Sequence, residues 1–320
     1  MTTRLVISSS PHIHSPLSTR KIMGTVIASL IPAGAAGVFF LGLSSLWVIL
    51  TCVSVCVASE YVWQRLMGRK QTVSDLSAAL TGLLLAYNLP PAIPLWMAAC
   101  GAVFAIVIVK QFYGGLGCNI VNPALAARAM MLISWPAAMT AWTVHGVSGA
   151  TPLAMMKVGA AASSSATLTT PAAAMPSLWD LFIGRVGGCI GETSALLLLL
   201  GGAYLIWEGI ISWRIPVVYI LTTALLSAAF GHGGGMFPLQ EALTGGLMLG
   251  AVFMATDYAT SPITAKGQIL FALGCGLLTA LIRTFGSYPE GTSYSILIMN
   301  TAVPLIDRMT APRALGEAKR

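Results

Sequence analysis

Ala79-Leu80-Thr81-Gly82-Leu83-Leu84-Leu85 and Ala242-Leu243-Thr244-Gly245-Gly246-Leu247-Met248 are two copies of one apolar phrase, and their placement sets the architecture. The first copy opens the third of ten candidate membrane segments and the second opens the eighth. A second pair keeps the same offset: Lys110-Gln111-Phe112 closes the fourth segment and Arg283-Thr284-Phe285 closes the ninth. Both matches map segment n onto segment n+5. Five is odd, so the second copy enters the bilayer from the opposite side, and the chain reads as two five-helix inverted repeats. Such repeats place polar sites near the midplane, where helices are interrupted.

Composition makes the membrane the solvent. Of 320 residues, 56% are hydrophobic and 8% are charged, and the mean hydropathy is +0.83, whereas a soluble domain carries about 25% charged residues. The fold class expected is an all-α integral membrane protein. A net charge of +7 would suggest nucleic acid in a soluble chain. Here the basic residues are better read as topology markers and lipid contacts, so no nucleic-acid partner is expected. The first 21 residues are polar and the apolar run after them is long enough to span, which argues for a cytosolic tail rather than a secretory signal.

Crossing the hydrocarbon core takes about 20 apolar residues. The ten segments run from Ile22 to Leu43, Leu46 to Leu66, Leu76 to Leu89, Ile93 to Phe112, Pro123 to Met139, Thr193 to Trp213, Ile215 to Phe230, Ala242 to Tyr258, Gln268 to Phe285 and Ser293 to Leu305. Several are short and end at Gly or Pro, so broken or tilted helices are expected. The chain divides into a tail (1–21), a first repeat (22–139), an outer loop (140–180), a second repeat (181–310) and a second tail (311–320). With both termini inside, fourteen basic residues, Lys110 and Arg128 among them, fall on the inner side, against Lys157, Arg185 and Arg283 elsewhere. That bias fits the positive-inside rule, and inversion of the second repeat accounts for Arg283.

The outer loop contains Ser148-Gly149-Ala150-Thr151-Pro152-Leu153, a small polar turn stranded between apolar segments. A hydroxyl on such a turn is a candidate attachment point; an ordinary helix connection has the same composition. Residues 159–177 are an Ala/Ser/Thr/Pro-rich run that reads as solvated loop. Gly114 to Pro123 brings Asn119 and Asn122 to the start of a helix, where an anion or a polar ring is well received. Glu192, Asp257 and Asp307 are the acidic groups nearest membrane depth, where a carboxylate is a functional candidate by default. The six cysteines contain no Cys-x-x-Cys, the histidines are scattered, and no phosphate-binding P-loop occurs, so metal, triad and nucleotide-domain chemistry find no support. Inside spans, cysteine reads as packing.

Six blocks occur in order: Gly117-Cys118-Asn119-Ile120-Val121-Asn122-Pro123-Ala124-Leu125-Ala126-Ala127-Arg128-Ala129, Ser148 to Leu153, Gly191-Glu192-Thr193-Ser194-Ala195, Met254-Ala255-Thr256-Asp257, Tyr288-Pro289-Glu290-Gly291, and Asn300 to Arg308. Together they resemble RnfD, a membrane component of the Rnf complex, the ion-translocating ferredoxin:NAD oxidoreductase. The sister family is NqrB, from the sodium-translocating NADH:quinone oxidoreductase. The resemblance implies that Thr151 carries FMN through a phosphoester bond installed by a flavin transferase, within the stretch Ser148, Gly149, Ala150, Thr151. His145 stands where the family's attachment pattern often has an acidic residue. A second, noncovalent riboflavin is implied by the sister family, with Asn119 and Asn122 the nearest candidate site. Also implied are the other Rnf proteins (RnfA, RnfB, RnfC, RnfE and RnfG) as partners, above all the outer-face FMN protein RnfG, and a place in the cell membrane. The expected role is to relay electrons between ferredoxin and NAD through that FMN, coupled to sodium or proton movement, with no activity alone and with Glu192, Asp257 and Asp307 as a candidate ion path. A small-solute channel or transporter, and a purely structural anchor, share the ten spans; both predict a colourless protein.

Overall fold

The computed structural model describes residues 17–144, 147–148, 153, 177–184, 186–230, 240, 242–286 and 290–312. Gly149, Ala150, Thr151 and Pro152 lie outside these, as do His145, Lys157 and Arg185. The described chain is helical apart from a pair of two-residue antiparallel strands, β1 (Thr143–Val144) and β2 (Val147–Ser148), so Ser148 enters as the backbone of β2.

The first half consists of α1 (Thr19–Leu41), α2 (Leu43–Leu66), α3 (Ser77–Tyr87), α4 (Leu95–Val103, continuing as a π-helix through Phe104–Gln111) and α5 (Pro123–Ser134). Short helices α6 (Pro136–Met139) and α7 (Leu178–Ile183) follow. The second half consists of α8 (Ala195–Trp207), α9 (Arg214–Ala229), α10 (Leu247–Leu249, continuing as a π-helix through Gly250–Met254), α11 (Ala265–Phe285) and α12 (Thr292–Thr310). Among the described residues, α1, α2 and α11 are each long and apolar enough to cross a membrane unaided. α12, with 19 residues, is long enough but less apolar, and the remaining segments are shorter than ten full spans would require.

Those shortfalls have local causes. The third segment starts at Ser77 and stops at Tyr87; eleven residues of helix span about 16 Å, roughly half the ~30 Å core. The eighth, expected over Ala242 to Tyr258, has its continuous helical part at Leu247 to Met254, because Gly245 (φ 67°) and Gly246 (φ 69°) take left-handed dihedrals that glycine adopts freely. In the first copy of the repeated phrase the helix runs through Gly82 unbroken, and the left-handed residue is instead Leu76 (φ 66°), the single non-glycine with positive φ among the described residues. The fifth segment breaks at Trp135, ahead of Pro136, which disfavours helix in the residue before it.

α3 and α10 are therefore half-helices, and their ends meet inside the bundle. Asn88, just past α3, donates from Nδ2 to Leu84 O (2.7 Å) and to Met254 Sδ at the end of α10 (3.4 Å). Asn122 donates from Nδ2 to Met254 O (3.3 Å). Lipid offers no partners to freed backbone groups, so broken helices persist where protein side chains satisfy them. Close contact comes from small residues, as is usual in membranes: a Cβ on Gly82 would stand 2.8 Å from Cys52 O, and one on Gly201 2.6 Å from Ser29 O, so α3 lies on α2 and α8 on α1. Tyr87 Oη then ties the end of α3 to Leu30 O of α1 at 2.9 Å.

Candidate functional site

Two polar centres lie at opposite ends of the bundle. At the proximal end, where α1 begins, a cavity of about 90 Å³ that opens toward the surface has apolar walls from residues such as Ile22, Val26, Leu84 and Phe253. Its polar groups include Ser77, Lys110, Asn119, Asn122, Asp257 and Tyr258. The loop carrying the two asparagines turns on Gly114 (φ 125°), Gly115 (φ 103°) and Gly117 (φ 84°). Asn122 caps α5, its Oδ1 accepting from Ala124 N (3.0 Å) and Leu125 N (3.3 Å). Asn119 donates from Nδ2 to Val121 O at 3.1 Å, and Asp257 accepts from Thr260 Oγ1 at 3.1 Å. The structure thus brings Asn119, Asn122 and Asp257 to one chamber. An apolar chamber with a few fixed polar groups is the usual form of a small-molecule site.

Beside this chamber the side chains of α2 and α4 form a buried ionic cluster. Lys110 Nζ donates to both oxygens of Glu60 (3.0 and 3.2 Å) and to Ser77 Oγ (2.6 Å). Glu60 Oε1 also accepts from Gln111 Nε2 (2.9 Å), Gln64 Nε2 (3.2 Å) and Thr72 Oγ1 (3.1 Å). Both charges are essentially inaccessible, with side chains 2% and 1% exposed. A buried pair persists when its remaining donors and acceptors are satisfied, and here they are. Charge counting assigned Lys110 to the inner surface; it is an internal counter-ion.

The distal centre is built around Arg128, which the same count had placed among the inner-side charges. It stands five residues into α5, about 8 Å along the helix, and is buried. Its guanidinium donates to Asn88 Oδ1 (2.9 Å), Ser293 Oγ (3.1 Å) and Cys189 Sγ (3.5 Å), and pairs directly with Glu290. Glu192 Oε1 lies 3.9 Å away. Cys189 donates in turn to Asn88 O at 3.3 Å, so this cysteine does more than pack. Sulfur and carboxylate oxygens of Cys189, Glu192 and Glu290 lie within 4.8 Å of one another. Leu153, the last residue of the polar hexapeptide, is buried in the same small pocket as Glu192 and Glu290.

Of the candidate ion path, Glu192 belongs to the distal centre and Asp257 to the proximal one. Asp307 joins neither: it is half-buried and accepts from Ile263 N at 3.1 Å, fixing the turn before α11. Sequence reasoning missed Glu60, Asn88, Arg128, Cys189 and Glu290 as interacting groups. Arg128 and Glu290 sit inside quoted blocks, so their positions were visible, but their pairing across 162 residues was not.

A helical membrane protein with half-helices meeting at mid-bundle, an amphiphilic chamber at one end and a buried arginine–carboxylate centre at the other is the class these features define. The chain matches the NQR2, RnfD, RnfE family over residues 6–316 and belongs to it. It is 52% identical to the D-type component of the Na(+)-translocating ferredoxin:NAD(+) oxidoreductase complex of Acetobacterium woodii, covering 98% of this chain and 96% of that one. It is 47% identical to the proton-translocating counterpart of Clostridium ljungdahlii (97% and 96% covered). The corresponding component of the ion-translocating oxidoreductase complex of Stutzerimonas stutzeri is 40% identical (95% and 94% covered).

Proposed function

We propose that the chain is a membrane subunit of an ion-translocating ferredoxin:NAD oxidoreductase complex and carries FMN on Thr151 at the distal end. The observation that carries this reading is the burial of Leu153 against the Arg128 centre. Thr151 precedes Leu153 by two residues in sequence, and on this reading the flavin it carries would sit near that centre. Arg128, Glu192 and Glu290 would set its electrostatic surroundings. When bound, FMN accepts electrons singly or in pairs, while the protein sets its position and potential.

The proximal chamber is the proposed place of the second, noncovalent flavin. A tricyclic ring needs apolar walls with a few fixed donors and acceptors, and Asn119, Asn122, Asp257 and Lys110 supply these without any charge left unpaired on Lys110. The proximal end also gathers Arg20, Lys21, Arg65, Arg69, Lys70, Arg214, Lys266 and Arg308 near its helix termini, which supports a cytoplasmic face there and an outer face for Thr151. The relatives named above differ in their ion, sodium in one and proton in the other, at similar identity; the coupled ion is therefore a matter for measurement.

The test is a denaturing gel of the complex made with its flavin transferase. Yellow fluorescence should stay with this polypeptide and vanish in Thr151→Ala, while acid extraction should release a second flavin that Asn119→Leu reduces. A colourless wild-type band would sink the covalent assignment and favour a transporter or anchor role.

A further inference from the structure

We propose that the groove between α2 and α4 at the proximal end binds one anionic phospholipid, with an acyl chain laid along the groove and the phosphate held by Arg65, Arg69 and Lys70. The proposal concerns the bilayer-facing surface and stands apart from both flavin assignments.

The groove has a volume of about 300 Å³ and is open to the outside of the bundle. Val55, Val62 and Leu66 of α2 form one wall, and Val103 and Val107 of α4 the other. Val62, Leu66 and Val103 are exposed, so the surface calls for an apolar occupant. Length separates a lipid chain from a partner helix. From Val55 to Leu66 the groove follows α2 for about 16 Å, half of the ~30 Å hydrocarbon core. Toward the distal end the same stripe of α2 continues, at helical spacing, through Cys52 and Val48, and both are buried in the bundle. The open part therefore spans one leaflet. A transmembrane helix would press a seam across the whole core, whereas an acyl chain is one leaflet long.

Charge sits at the headgroup end. The stretch Arg65-Leu66-Met67-Gly68-Arg69-Lys70 contains three cations and no acid, and all three cations are exposed. Gly68 (φ 62°) turns the chain at the end of α2, and Arg69 reaches Gln111 O at the end of α4 (3.4 Å). Its guanidinium thus bridges the ends of the two helices that form the groove. Arg65 donates to Tyr61 Oη at 3.0 Å. Each of these contacts uses one of the five N–H groups of an arginine, whose planar fork suits phosphate oxygens. Trp63, on the groove wall, packs on Phe112 with ring centroids 5.0 Å apart, and an aromatic pair at this depth marks the boundary between core and headgroups. Apolar groove, interfacial aromatics and exposed cations follow one another in the order that a phospholipid presents its chain, glycerol and phosphate.

The experiment reconstitutes the intact complex in phosphatidylcholine vesicles carrying a trace of photoactivatable phosphatidylglycerol or phosphatidylcholine, each with a diazirine on one acyl chain, and maps the labelled peptides. In the wild type the phosphatidylglycerol analogue should label residues 55–66 several-fold above the phosphatidylcholine analogue, and high salt should shrink the difference, because exposed charges are screened. Arg65→Gln, Arg69→Gln and Lys70→Gln should each lower the excess by up to about fivefold, the factor that one cation near an anionic surface supplies. Val62→Trp, which fills the groove, should lower labelling of this stretch by both analogues while labelling of the rest of the chain holds, and a merely charged surface would not show that. Should a charge variant fail to assemble, the salt dependence of the wild type carries the comparison. Equal labelling by the two analogues overturns the phosphate contact. Absence of label from residues 55–66 in the complex shows a partner polypeptide over the groove and overturns the site.

Discussion

Replacing Arg128 by Gln tests whether the distal centre is a charge-balanced unit. The native guanidinium contacts Glu290 directly, stands 3.9 Å from Glu192, and donates to Asn88, Ser293 and Cys189. Removing it leaves two carboxylates facing each other away from water. Breaking a buried pair by deleting one partner costs about 3–5 kcal/mol. At about 2 °C per kcal/mol for a chain of this size, melting should fall by roughly 6–10 °C. Glu290→Gln should cost less, about 1.5–3 kcal/mol, the worth of a hydrogen bond to a charged group, because Glu192 still balances Arg128. The double variant Arg128→Gln/Glu290→Gln should recover a substantial part of the single arginine loss, since one of the two repelling charges is gone. A thiol-reactive dye reports the transition: Cys52, Cys56, Cys189 and Cys275 are buried, and Cys100 and Cys118 provide the baseline. If Arg128→Gln melts within about 1 °C of the wild type, or the two losses simply add, the centre is not a coupled ionic unit and the reasoning fails.

The proximal pair obeys the same logic: Lys110→Met should destabilise more than the double variant Lys110→Met/Glu60→Gln, and equal melting points would show the two charges to be independent. Asn122→Ala removes both cap bonds of α5, which should cost about 1 kcal/mol, and the bond to Met254, so reduced retention of extractable flavin at near-normal expression is the expected result. Gly82→Val sets a side chain against the backbone of α2; size-exclusion profiles should show loss of the monodisperse peak, and an unchanged profile would mean that α3 can shift. Asp307→Asn should leave stability and ion transport within experimental error, because its one described contact is with Ile263 N; a large transport defect would show that Asp307 acts in the ion path.

Much of the fold was legible because membrane helices are written in composition. The apolar runs and the break at Gly114–Gly117 follow from local sequence, and the half-helical character of α3 shows in its length. Less legible was where each copy of the repeat bends. Ala-Leu-Thr-Gly occurs in both halves, yet one glycine after Thr81 continues a helix and two after Thr244 permit a left-handed turn. A pattern match cannot distinguish these, because the outcome depends on which backbone the turn must approach. The chamber was partly legible: Asn119 and Asn122 were candidates as a loop, but their meeting with Asp257 depends on α10 stopping at Met254, a tertiary event.

Charge was where sequence reasoning fell short, for a physical reason. The positive-inside rule treats every Lys and Arg as a surface marker, and for Arg20, Lys21 or Lys266 this suits their exposure. A basic residue inside a span obeys a different constraint: it must find an acid, and that acid can come from anywhere in the chain. Lys110 finds Glu60 fifty residues earlier, and Arg128 finds Glu290. Membrane burial makes both pairings obligatory, since neither charge could stay ionised alone in hydrocarbon. The consequence is that a midspan cation is a prediction of a partner carboxylate, and the acids are scarce enough here, ten in 320 residues, for that partner to be sought among a handful. Applied to Arg128, the constraint narrows the partner to acids such as Glu192 and Glu290, and so leads to the distal centre, in whose pocket Leu153 is buried.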